Sequence, residues 1–108
     1  MTWQSKIIKA HTDVTNSVSH YSRLQSDRYF VWAEESEEFL GGNNGHREKA
    51  MVGTTDLFTK IEFDPWKKKF ENSMTKLGIA WSLNSVQYEE DTGFIHYEWL
   101  WYVSGENL

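Results

Sequence analysis

His96 and Glu98 are the two residues whose types and spacing come nearest to a catalytic pair. They stand two positions apart in an aromatic run that predicts a strand, and residues two apart on a strand point to the same side of a sheet. An imidazole beside a carboxylate is positioned for general acid–base chemistry. A polar pair at an interface or in solvent gives the same pattern, and we favour this second interpretation because no further catalytic partner is evident.

The other reactive residue types lack the spacing of a catalytic or ligand-binding motif. His11, His20 and His46 do not have metal-ligand spacing. The acidic run 34–38 lacks the order of a calcium loop, and the Gly-rich run 41–45 has neither the Lys-Ser nor the Lys-Thr of a phosphate loop. We therefore predict no catalytic, cofactor-binding or metal-ligating residues, and a protein that is not an enzyme.

The composition excludes several classes of protein. The 108 residues carry a formal net charge of −5, and no block of Lys and Arg is long enough to follow a nucleic-acid backbone. The absence of cysteine excludes a disulfide framework and a thiolate metal site. No signal peptide is evident, and no segment approaches the roughly 20 apolar residues of a membrane span. We expect a single soluble domain, residues 1–108, made in a reducing cytosol without a membrane partner.

Apolar periodicity indicates the elements that must position these residues. Asp64 and Pro65 mark the start of one helix and Gly78 marks its end. A Gly- and Asn-rich loop is predicted at 36–47 and a tight turn at 90–93. The order α-β-β-β-α-β-β predicts an α+β fold, a mostly antiparallel sheet with two helices packed on one face. The predicted elements are helix 2–11, strands 17–23, 28–35 and 48–63, helix 64–77, and strands 83–89 and 94–103.

The last predicted strand, 94–103, is apolar on one face and mixed on the other. Two helices can cover only one face of the sheet. The uncovered face would then show Phe94, Leu100 and Tyr102, together with Phe58 and Val52 of the long strand. A patch of this size is more than a soluble monomer usually exposes, which predicts association into a ring or a two-fold dimer.

Several segments of the second half of the chain also carry a family resemblance. They are Gly53–Lys60, Phe63–Pro65, Leu77–Trp81 and Ser85–Trp99. In these segments, and in the aromatic strand Tyr29–Glu34, the chain resembles small proteins from the tail-morphogenesis region of phages and prophages of Gram-positive bacteria. Among these, it resembles the tail-completion, or tail-terminator, group of long-tailed phages.

The resemblance implies a non-enzymatic virion protein without a cofactor. Tail terminators of this type form rings, typically hexameric, on the head-proximal end of the tail tube. They stop tube polymerisation and meet the head connector, while DNA only passes through the lumen. The implied partners are further copies of the chain, the major tail tube protein and the head–tail connector. The implied location is the virion tail, after assembly in the host cytoplasm.

The resemblance places the subunit and tube contacts in the segments 36–47, 48–63 and 94–103. Two alternatives stay open: another head–tail connector, stopper or minor tail protein, or a small enzyme or ligand-binding domain that uses His96 and Glu98. A pocket enclosing those two residues would favour the enzyme. The residues predicted to form contacts are Phe39, Leu40, Asn43, Asn44, Phe58, Phe94, His96, Leu100 and Tyr102.

Overall fold

The computed structural model describes residues 1–40 and 48–108, with only the backbone of Leu40. The strands form one sheet in the order β1-β2-β3-β5-β4, in which β1 pairs with β2 in parallel and the other pairs are antiparallel. The predicted element order and the α+β class are confirmed. The elements are α1 Trp3–Thr12, β1 Val18–His20, β2 Arg28–Leu40, β3 Glu48–Thr59, α2 Trp66–Lys76, β4 Ala80–Glu89 and β5 Phe94–Val103.

Both helices begin and end at residues that satisfy their free backbone groups. The hydroxyl of Thr2 accepts a hydrogen bond from the Ser5 amide (3.1 Å) at the start of α1. The carboxylate of Asp64 accepts one from the Trp66 amide (2.9 Å) at the start of α2. Gly78 follows α2 with a φ of +73°, a conformation that favours glycine. The helix end predicted at Gly78 is confirmed, and the Asp64 side chain binds the first turn, but α2 begins one residue later than predicted, with Pro65 rather than Asp64 at the cap position.

The core lies between the two helices and one face of the sheet. Trp99 and Trp101 of β5 are fully buried at its centre. Trp101 lies against Gly53 of β3, where a Cβ atom would come within 2.3 Å of the Trp101 ring and 2.4 Å of the Ala33 carbonyl oxygen. Each helix contributes one buried apolar stripe to this core. The stripe of α1 consists of Trp3, Ile7 and Ala10, and the stripe of α2 consists of Phe70 and Met74.

The loop predicted at 36–47 is wrong in its first part. Residues 36–40 continue β2 and pair with 48–52 of β3, after a change of register between Glu34 and Ser36. A run of acidic residues reads as a solvated loop in sequence, but pairing satisfies its backbone groups whatever its side chains are. The remainder of the predicted loop, 41–47, lies outside the described residues.

The other corrections concern where strands begin and end. The third strand ends at Thr59 rather than at residue 63, because the Thr59 hydroxyl donates to Asp64 (2.7 Å) and the chain turns there into α2. The fourth strand begins at Ala80 rather than Leu83, since Ala80 already pairs with Tyr102 of β5. The first strand covers only 18–20 of the predicted 17–23.

The protein is elongated, with extents of 51 × 23 × 23 Å. The two long strands, β2 and β3, have 13 and 12 residues, and a strand of that length spans about 40 Å. The pairing of β3 with β5 begins only at Met51, so the end of the β2–β3 hairpin projects beyond the rest of the sheet. The hairpin and the segment 60–65 after β3 therefore lie at opposite ends of the molecule.

Candidate interaction surface and polar cluster

A second, smaller apolar cluster lies on the sheet face opposite the helices. Tyr29, Val31 and Phe58 are buried there, and Phe94 packs against them. The segment between β1 and β2 folds over this cluster and places the guanidinium carbon of Arg23 4.0 Å from the centre of the Phe58 ring. The chain itself therefore covers part of the face that was expected to need a partner.

This cover corrects the predicted apolar patch. Phe58 is only 4% exposed and Val52 only 6%, so neither presents a free surface. Phe58 is shielded by Arg23 above it and by the stacked His96 ring beside it (4.3 Å between centroids). Val52 is flanked by Ser36 and Tyr102 on the neighbouring strands.

The other predicted contact residues are distributed over two regions. Phe94, His96, Leu100 and Tyr102 are half-buried on β5, on the face opposite the helices. Phe39 is 56% exposed near the end of β2. The side chain of Leu40 and the residues Asn43 and Asn44 lie outside the described part of the chain. The structure thus does not bring all these residues onto one surface.

His96 is the centre of a polar cluster on this face. Its Nε2 lies 2.7 Å from Oδ1 of Asp56, and its Nδ1 lies 3.4 Å from Oε2 of Glu89. The nearby Glu98 accepts a hydrogen bond from the Asn84 side-chain amide (2.8 Å). One ligand atom from each of Asp56, His96 and Glu98 lies within 4.8 Å of the others.

The pairing of β3 with β5 creates this cluster. Asp56 is the direct partner of Glu98, and Phe58 is the direct partner of His96. Asp56 therefore lies diagonally across from His96 on the same face. The hydrogen bond with Asp56 raises the pKa of His96, burial opposes this, and the charges of Asp56, Glu89 and Glu98 add to the increase. These contacts stabilise the imidazolium form of His96.

Two depressions of the described surface lie away from His96 and Glu98. One surface depression lies beside the chain termini and is lined by Met1 and Leu108. Another lies between α1 and α2. Neither includes His96 or Glu98, so neither supplies a binding pocket for an acid–base reaction at this pair.

A second histidine with polar contacts, His11, lies in the core and pairs with the hydroxyl of Thr55. His11 Nδ1 lies 2.6 Å from the Ile7 carbonyl oxygen, which can only accept, so this nitrogen carries the proton. Its Nε2 accepts from the Thr55 hydroxyl (2.9 Å), which in turn accepts from the Trp101 indole (2.9 Å). His11 and Thr55 have no exposed surface, so the pair has no access to a substrate.

Three features of the surface were not predicted from the sequence. One is the contact of Asp56 with His96, because nothing in the sequence set the register that brings these two residues together. Val86 and Tyr88 are 52% and 65% exposed along the outer strand β4. Phe63 is 87% exposed with a φ of +55°, which is unusual for a bulky residue. The absence of charged residues at 80–88 was the one signal that could have indicated an interface at β4.

The fold and this surface define an α+β protein with one five-stranded sheet and a polar cluster on its open face. Within the described ranges, no helix has the length and apolar character needed to cross a membrane. A scan against protein-family models and a search of curated proteins find no match for the chain. The resemblance to tail terminators accordingly stays a prediction.

Proposed function

We propose that this protein is a non-enzymatic structural subunit that assembles with copies of itself into a ring closing the head-proximal end of a phage tail tube. The assembly is supported by one observation, the open edge of the sheet at β4. In the described part of the chain, β4 pairs with β5 on one side and with no strand on the other. An unpaired edge offers a row of backbone donors and acceptors to another chain.

The composition of β4 supports its use as a contact. Residues 80–88 contain no charged side chain, no proline and no glycine. Soluble proteins commonly protect an open edge with charges, prolines or bulges, and the one such feature here is the change of register between Leu83 and Ser85. The exposed side chains of Val86 and Tyr88 would pack beside those of an added strand.

The opposite side of the sheet supplies a second open edge. β1 pairs only with residues 30–32 of β2, so the outer side of residues 34–40 has no strand partner among those described. Contact between two different edges is head-to-tail, and such contacts give a closed ring when the rotation between copies closes. The acidic run 34–38 on this edge disfavours pairing between two identical edges.

The assignment to a phage tail depends on the sequence resemblance. It suggests a hexamer in the virion, with the major tail tube protein on one side, the head–tail connector on the other, and DNA passing through the lumen. The elongated shape supports two such faces, because the hairpin lies at one end and the exposed Ile61 and Phe63 lie at the other. A head–tail connector or stopper is the alternative assignment within the same assembly.

The edge contact is tested by placing a charge on β4. Val86→Glu should shift the protein from oligomer to monomer in multi-angle light scattering, whereas Ile8→Glu on the outer side of α1, 45% exposed in the wild type, should not. Val86→Lys should dissociate the oligomer less than Val86→Glu, because the proposed partner edge is acidic. If the wild type is oligomeric in solution, an equal oligomeric state of Val86→Glu would contradict the β4 contact. If the wild type is monomeric, the same comparison is made on the rings that form at tube ends.

The phage role needs a separate measurement, since a terminator can stay monomeric until it meets the tube. The protein would be mixed with the major tail protein, which we expect to be encoded by the neighbouring downstream gene. Electron microscopy should then show rings at one end of tubes, which would stop growing. Tubes that grow without an attached ring would exclude a terminator and leave the connector or stopper assignment.

A further inference from the structure

Asp56, His96 and Glu98 offer one imidazole nitrogen and two carboxylate oxygens to a common point. Their ligand atoms all lie within 4.8 Å of one another. Ligands on a tetrahedral Zn²⁺ stand about 3.4 Å apart, given metal–ligand distances of 2.0–2.2 Å. The three side chains are half-buried and project from two strands held in register by the sheet, so binding a metal ion requires side-chain rotations that bring the ligand atoms closer together.

The charges around His96 are unbalanced without a cation. Asp56 and Glu98 are direct partners across β3 and β5, and like charges in that arrangement are destabilising. Glu89 brings a third carboxylate to within 3.4 Å of the same imidazole. Arg23 lies 3.5 Å from the other oxygen of Glu89 and offsets part of this charge. Even with Arg23 and a protonated His96, the three carboxylates leave one net negative charge, which a divalent cation would offset.

Contacts from Glu89 and Asn84, which are not themselves proposed ligands, orient the ligand atoms toward a shared site. Glu89 lies at Nδ1 of His96, which leaves Nε2 facing Asp56. A carboxylate on the second nitrogen of a histidine is the usual outer partner of a metal ligand. Asn84 donates to one oxygen of Glu98 and leaves the other oxygen available.

We propose that Asp56, His96 and Glu98 bind a divalent transition metal ion of the Zn²⁺ or Co²⁺ type, which links β3 to β5 on the open face of the sheet. On binding, the ion takes the place of the proton shared by His96 and Asp56. One nitrogen and two oxygens suit these ions, whereas Ca²⁺ takes six to eight oxygens and Mg²⁺ demands octahedral oxygen coordination. The site is independent of the proposed ring.

The test uses the untagged full chain and Co²⁺ as a spectroscopic probe. One equivalent of Co²⁺ should give visible d–d absorption bands that Zn²⁺ abolishes by displacement, and Zn²⁺ should raise the thermal midpoint. His96→Gln and Glu98→Gln should each weaken the binding by more than the 10–100-fold typical for loss of an outer partner. Circular dichroism would establish that both variants are folded.

His20→Gln is the matched control. His20 also lies 2.7 Å from a carboxylate, that of Glu34, but these two residues belong to no group of three ligands within the described residues. This variant should bind Co²⁺ as the wild type does. The proposal is overturned if the wild type gives no d–d bands and no Zn²⁺ shift, if His20→Gln abolishes binding, or if either His96→Gln or Glu98→Gln binds like the wild type.

Discussion

His11 makes the stability of the protein depend on pH. Burial lowers its pKa to about 4, and the hydrogen bond with Ile7 offsets only part of this effect. An unfolded histidine has a pKa of about 6.5, so unfolding takes up a proton between these two values. Lowering the pH from about 6.5 to 4 should therefore reduce the free energy of unfolding by up to about 3 kcal/mol through this residue, with no such effect above pH 6.5.

Urea unfolding at a series of pH values measures this dependence. In His11→Gln the free energy of unfolding should depend less steeply on pH over the same interval. The difference should correspond to the uptake of about one proton on unfolding, because no imidazole remains to titrate. Identical slopes in the wild type and His11→Gln would show that the buried ring does not titrate as described.

Asp64 is a second buried polar residue on which the fold depends. The residue is 3% exposed, and its carboxylate accepts hydrogen bonds from Arg28 (2.8 Å), Trp66 (2.9 Å) and Thr59 (2.7 Å). Burial opposes ionisation, but these bonds more than compensate and lower the pKa of Asp64. Asp64→Asn should lower the free energy of unfolding by roughly 3 kcal/mol, because it leaves the Arg28 charge without its partner.

Chemical denaturation of Asp64→Asn should be compared with that of Asp27→Asn. Asp27 also forms an ion pair, with Lys60 at 3.3 Å, but its side chain is 81% exposed. Exposed pairs contribute from about 0 to 1 kcal/mol, so this variant should unfold close to the wild type. A similar loss of unfolding free energy in both variants would mean that burial does not decide how much these ion pairs contribute to stability.

At the residue scale, the sequence predicted helix caps better than side-chain clusters. Asp64 and Gly78 act through neighbours within a few positions, so their roles follow from local sequence. The contact between Asp56 and His96 joins residues 40 positions apart and exists only because β3 pairs with β5 in one register. A shift of that register by one residue would place Asp56 and His96 on opposite faces of the sheet. No pattern in the sequence excluded this alternative register.

At the scale of elements, Gly53 sets how closely β3 approaches its neighbours. A Cβ atom there would lie 2.4 Å from the backbone oxygen of Ala33, which cannot move aside without shifting β2. Gly53→Ala should therefore destabilise the protein by about 3 kcal/mol or more, as overpacking does in a rigid core. Thermal and urea unfolding measure the change.

Gly93→Ala provides a contrast with a different cause. Gly93 has a φ of +77°, and an added Cβ atom would meet no other atom within 4 Å. The expected loss is about 1–2 kcal/mol, from the left-handed backbone alone. If Gly93→Ala were the more damaging of the two, steric contact at Gly53 would not be the dominant effect.

The strand bounds show which physical effects override local sequence. The acidic run 34–38 resembles a loop, yet β2 continues through it because β3 is long enough to pair with it. The strand β4 begins at Ala80 because the chain lies beside β5 soon after the end of α2, so pairing starts there. Periodicity identified every element, while tertiary pairing decided where each one begins and ends.

At the scale of the whole molecule, charge should control the proposed assembly. Each copy carries a formal net charge of −5, so copies repel one another at low ionic strength. The proposed contact is made by an uncharged edge, so salt should screen the repulsion without weakening the contact. Raising the salt concentration from about 0.05 to 0.5 M should therefore increase the oligomeric fraction in sedimentation velocity.

Two variants separate screening from other effects of salt. Glu35→Gln lowers the charge of the acidic edge on β2 and should increase association most clearly at low salt, where repulsion is largest. Val86→Glu should stay monomeric across the whole range, because its defect lies at the contact itself and introduces a charge that must be desolvated. Dissociation of the wild type by added salt would reverse the argument, since it would mean that ion pairs between subunits, rather than an uncharged strand edge, hold the copies together.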